Sequence, residues 1–126
     1  MARIKEIVID ARHPAALARF WAGVLEDYQV RAYDKDELAR LARLGLTPET
    51  DPTVLVDGSG PSLCFQTYPG PERGRGAVHL DLVGLDLSAE VARLTGLGAR
   101  VRDLHGDHAV MEDPEGNAFC VQVPKV

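Results

Sequence analysis

Apolar and polar positions along the chain alternate in short runs, and longer stretches with helical spacing lie between them. In "KEIVID", Ile7 and Ile9 fall on one side and Glu6, Val8 and Asp10 on the other, as the two-residue period of a strand requires. "SLCFQTY" sets Leu63, Phe65 and Thr67 against Ser62, Cys64, Gln66 and Tyr68. "VHLDLV" opposes Leu80 and Leu82 to His79, Asp81 and Val83. "AFCVQV" opposes Phe119, Val121 and Val123 to Ala118, Cys120 and Gln122. Each strand therefore has one apolar face suited to a core and one face carrying hydrogen-bonding and ionisable groups. Leu17, Phe20, Trp21, Val24 and Leu25 recur instead at helical spacing, after Pro14 at a first helical position where its missing N–H costs nothing. Leu87, Val91, Leu94 and Gly98 form a second helical stripe, with Asp86 or Ser88 as its cap.

These elements occur twice in the same order. "KEIVIDARHPAALARFWAGVLEDYQV" and "VHLDLVGLDLSAEVARLTGLGARV" share a strand, a bend, a helix of about three turns and the start of another strand. Glu6 aligns with His79 at an offset of 73, and "CFQ" at 64–66 is echoed by "CVQ" at 120–122. The expected fold class is α+β: two β-α-β-β-β modules, about 1–70 and about 76–126, in one domain spanning 1–126. The linker "PGPERGRGA" stops regular structure between them. One piece has no counterpart in the second module, a helical insertion at about 34–50. There Asp34 with Glu37 fits a capping box, Leu38, Leu41 and Leu44 form a stripe, and Gly45 stops the helix. It is a candidate lid, or a surface decoration.

Composition narrows the function classes. A chain of 126 residues supports one sizeable core. The net charge of −5, with acids and bases interspersed, supplies no basic track for a phosphate backbone, so no nucleic-acid partner is expected. The N-terminal run enters a strand pattern at once, with no signal region or membrane-length apolar run, so the expected location is the cytoplasm. Two cysteines 56 residues apart then read as free thiols.

The polar strand faces carry the candidate chemistry. Glu6, Asp10, Cys64, Gln66 and Tyr68 come from the first module, and His79, Asp81, Cys120 and Gln122 from the second. Turned toward one concave surface, so many polar groups call for water or a ligand. "HGDH" at 105–108 reads as a solvated turn with no helical spacing to bring its two imidazoles together, and His13 as a capping or surface residue.

The repeated modules, the "DPEGN" turn before the last strand, His79 opening a strand seven residues before Asp86, and "ARFW" in the first helix together resemble the vicinal oxygen chelate superfamily. This is the glyoxalase, bleomycin-resistance and extradiol-dioxygenase group, and the resemblance is to its glyoxalase-like branch across essentially the whole chain. It implies a pseudo-twofold, strongly curved mixed sheet with helices outside and a U-shaped cleft, frequently in a homodimer. It also implies a divalent metal ion held by His or Gln and then Glu, from the first and last strands of each module. Carried over, the ligand positions are His79, Glu6, Gln66 (or Cys64, if the repeated "CxQ" sets the register) and Cys120, which stands where the metal enzymes place Glu. That set is incomplete for a hard ion and for the two-His, one-carboxylate iron site. A thiolate, an imidazole and a carboxylate are competent for zinc. Two readings follow from the resemblance. One is a protein that binds a small molecule, with the acidic groups favouring a cationic ligand, and without a tightly held metal. The other is a metal-dependent lyase, isomerase or dioxygenase in which Glu6 or Asp81 handles protons; a metal-free variant would pair Cys64 or Cys120 with His79.

Overall fold

The computed structural model describes residues 1, 3–67 and 80–124. Tyr68, the linker and His79 therefore lie outside the described residues. The chain divides into two compact units, Met1–Pro71 and Glu72–Val126.

In the first unit the order is β1 (Glu6–Ala11), α1 (Pro14–Val24), β2 (Tyr28–Val30), α2 (Lys35–Arg43), β3 (Thr53–Gly58) and β4 (Ser62–Thr67). In the second it is β5 (Leu80–Val83), α3 (Leu87–Leu97), β6 (Arg100–Leu104), β7 (His108–Glu112) and β8 (Ala118–Gln122). Each unit builds one four-stranded sheet, β1-β4-β3-β2 in the first and β5-β8-β7-β6 in the second. In both, the first strand pairs in parallel with the last, and the other neighbours are antiparallel. The β-α-β-β-β plan is thus realised twice in an α+β fold. The strand register carries the repeat further. Cys64 pairs with Val8 and Cys120 with Asp81, and Val8 and Asp81 are separated by the same 73 residues at which the first strands align in the sequence.

Alternation decides which face is core. Leu63 and Phe65 of β4 and Phe119 and Val121 of β8 are buried, and α1 buries Leu17, Phe20, Trp21 and Val24. Phe20 and Trp21 meet edge to face with ring centroids 5.4 Å apart. The two main helices differ in cover. Seven residues of α1 are buried, but only Leu94 in α3, where Leu87 and Val91 stay half-buried. Asp86, rather than Ser88, caps α3, accepting from the Ala89 N–H at 3.0 Å. Gly98 closes it at φ 118°, a backbone region that L side chains avoid. His13 occupies the N-cap of α1 and makes no side-chain capping bond there.

The insertion forms α2. The Asp34 carboxylate accepts from the Glu37 N–H at 2.8 Å, and Gly45 follows the last turn. Of the leucine stripe only Leu41 is buried, with Leu38 and Leu44 exposed. The ends are tied down: the Tyr33 hydroxyl donates to Asp51 at 2.8 Å, and Arg19 of α1 pairs with Glu49.

Candidate functional site

The polar faces of the two sheets must be taken one unit at a time. In the first, strand pairing lays three rows across the sheet. Val8, Cys64 and Leu55 form a middle row, with Val8 partly exposed and Cys64 buried. On one side stand Glu6 and Ser62, with Asp57 beside them, and on the other Asp10, Gln66 and Thr53. An apolar strip is thus flanked by two polar ones. In the second unit, Asp81, Cys120 and Val110 form the corresponding middle row, and Val83, Gln122 and His108 a flanking one.

Both thiols have a carboxylate partner from the neighbouring strand. Burial, then a hydrogen bond to Glu6 and the negative charge of that carboxylate, pushes the Cys64 thiol up to about 11. Burial, then the charge of Asp81 and a hydrogen bond to it, raises the Cys120 thiol as well. The cause is common to both: a thiolate beside a carboxylate in a partly dry setting is doubly disfavoured, whereas an S–H can donate to it. The partner carboxylates come from non-equivalent positions of the repeat, Glu6 two residues before Val8 and Asp81 at the place of Val8 itself.

The sequence reading missed a charged network on the same face of the first sheet. Arg31, just past β2, donates through Nε and Nη2 to the two Asp57 oxygens at 2.7 and 2.9 Å, and the Ser62 hydroxyl donates to Asp57 at 2.6 Å. These bonds hold the Asp57 carboxyl down at about 2. The pair is half-exposed, so its role is to fix direction more than to add stability. Next to it, the Tyr28 ring lies over the β3–β4 turn and its hydroxyl donates to the Pro61 carbonyl. A Cβ on Gly58 would come within 2.4 Å of that ring, which is why the turn has no side chain there. Asp27, Tyr28, Gln29, Asp57, Gly58 and Ser59 line an open depression of about 450 Å³.

The "DPEGN" turn has a structural explanation. Asp113 is fully buried, and its carboxylate accepts from the Glu115 N–H, the Asn117 N–H and the Asn117 side-chain amide at 2.8–2.9 Å. Gly116, at φ 84°, lets the chain reverse around it and places β8 so that Cys120 faces Asp81. "HGDH" differs from its sequence reading: the β6–β7 hairpin, not a helix, brings His105 and His108 together, with ring centroids 4.3 Å apart.

Among the described residues no three His, Cys, Asp or Glu side chains are grouped to hold a metal ion. Of the positions that the resemblance assigns to metal ligands, Glu6 and Gln66 carry oxygens and Cys120 a sulfur, a mixed set that differs from the all-oxygen shell of a hard divalent ion. Burial, then the neighbouring Asp81 charge, disfavours the Cys120 thiolate that a softer ion would need. No helix among the described residues is long and apolar enough to cross a membrane.

Residues 6–122 match the family model described as a glyoxalase-like domain. No curated protein matches the chain in sequence. Among solved structures, it is similar in fold to a glyoxalase/bleomycin resistance protein/dioxygenase family enzyme from Burkholderia phytofirmans PsJN, at TM-score 0.72 and 15% identity, over 97% of this chain and 98% of that one. It is similar to the fosfomycin resistance protein FosX from Mesorhizobium loti at TM-score 0.67 and 12% identity, covering 100% and 94%. A third neighbour is TnmS3, an antibiotic binding protein from Streptomyces sp. CB03234, at TM-score 0.59 and 18% identity, covering 99% and 98%. At these identities the structural neighbours establish the fold alone, and the match across nearly the whole sequence establishes the family: the chain belongs to the glyoxalase-like domain family.

Proposed function

We propose that the protein binds a small organic molecule against its polar strand faces and does so without a tightly held metal ion. The observation that carries this reading is the pair of thiols set beside carboxylates. At the centre of the last strand of each sheet, a cysteine donates to a carboxylate of the adjacent strand. As S–H each is a poor nucleophile, yet a good apolar contact with a weak polar edge. With Val8 and Leu55 beside Cys64, it offers a floor for an apolar body. In the first unit Glu6 and Asp10 flank that floor and favour a cationic or hydrogen-bond-donating group, Arg31 being already neutralised by Asp57; in the second, Asp81 does the same beside Cys120. TnmS3, described as antibiotic binding, is a neighbour consistent with this use of the fold.

The test is a thermal-shift screen of untagged protein against cationic drugs and thiol adducts, followed by calorimetry on Glu6→Gln and Asp81→Asn, with metal content measured on the same samples. Binding at metal-free stoichiometry, weakened about tenfold or more by either variant, is the expected result. Near-stoichiometric metal that disappears in His79→Ala would instead establish the metal-dependent lyase, isomerase or dioxygenase reading, for which FosX is the relevant neighbour.

A further inference from the structure

The β6–β7 hairpin tip gathers His105, Asp107 and His108, away from the two thiol–carboxylate pairs. The His105 N–H donates to the His108 carbonyl at 2.9 Å, closing a two-residue loop of Gly106 and Asp107. The two imidazoles lie face to face at 4.3 Å, with 16° between their planes. Asp107 Oδ1 sits 2.8 Å from His108 Nδ1. A carboxylate only accepts, so in the neutral ring the proton is on Nδ1 and Nε2 keeps its lone pair for another partner. A carboxylate behind an imidazole is the arrangement that orients metal-binding histidines and raises their basicity.

We infer that this tip chelates a transition-metal dication of the zinc, nickel and copper class through Nε2 of His108 and a ring nitrogen of His105. Asp107 orients His108, and water fills the remaining positions. Imidazole donors suit those ions, and magnesium or calcium would demand oxygens. Stacked rings point their lone pairs nearly in parallel. Convergence on one ion therefore needs the exposed His105 ring to turn about its Cβ–Cγ bond, a rotation that exposed side chains make freely. With two protein donors, the site is open and exchangeable.

The test is isothermal titration calorimetry of the untagged full chain with zinc chloride and with nickel chloride. One ion per chain is expected. His105→Ala and His108→Ala should each weaken binding about 100-fold, and Asp107→Ala about 10–100-fold, the usual cost of losing an orienting partner. His13→Ala, at the N-cap of α1, should bind as the parent does. Electron paramagnetic resonance of the parent with one equivalent of copper(II) should show coupling to two imidazole nitrogens, a readout independent of any variant. Unchanged affinity in His105→Ala, loss of binding in His13→Ala, or no binding at millimolar metal would each overturn the assignment.

Discussion

Cys64 shows how much a neighbour one strand away can change a residue's chemistry. Its thiol, pushed up to about 11 by burial and Glu6, leaves on the order of a thousandth as thiolate at pH 8. Iodoacetamide at that pH should therefore modify half-buried Cys120 first and reach Cys64 only in denaturant, as peptide mass spectrometry would show. Asp113 makes a comparable case in the turn. Three donors converge on one fully buried carboxylate, so Asp113→Ala should lose about 3 kcal/mol of unfolding free energy, read from urea midpoints. Parity alone made Cys64, Cys120 and their faces legible in the sequence, because a two-residue period fixes which way a strand residue points. Arg31, Asp57 and Ser62 gave no such signal. They sit on three separate segments and meet only once β2, β3 and β4 are in register. The paired imidazoles escaped for a related reason: helical spacing is one way to juxtapose two side chains, and a two-residue hairpin is another.

Among the elements, α2 was readable in outline and not in packing. Its cap and its stop are local, so sequence sufficed; which leucine it buries depends on the body beneath it. Only the middle one of the stripe is covered, with Leu38 and Leu44 on its two shoulders left in solvent. Leu41→Ala should cost about 2–5 kcal/mol, and Leu38→Ala no more than about 0.5 kcal/mol, in chemical denaturation of the two variants side by side. If the two costs were equal, α2 would be docked through its whole stripe. The contrast between α1 and α3 has the same origin. Helical periodicity marks both stripes as apolar, but the sequence does not say that α1 would bury its stripe from Leu17 to Val24 and α3 little beyond Leu94.

At the scale of the whole molecule, stability should be bounded by two opposite titrations. Asp57 is held at about 2 in the folded chain against 3.8 ordinarily, so its contribution is present above about 4 and fades as pH falls toward 2. Cys64 is raised from 9.0 to about 11, so its contribution is full below 9 and fades as pH rises through 11. Melting temperature against pH should show an alkaline limb that Cys64→Ala flattens and an acid limb that Arg31→Ala flattens, both modest because Arg31 and Asp57 are half-exposed. The repeated plan was the most legible property at this scale, since two copies of one pattern corroborate each other. A final consequence comes from β6, the outermost strand of its sheet, exposed along its whole length and broken in register between Val101 and Asp103. An open edge with straight, evenly spaced amides would be a template for a foreign strand. Here the extra residue, Arg102, twists the ladder out of line, and Arg100 and Asp103 add charge, so the hairpin can hold its tip out in solvent without seeding the growth of a fibril.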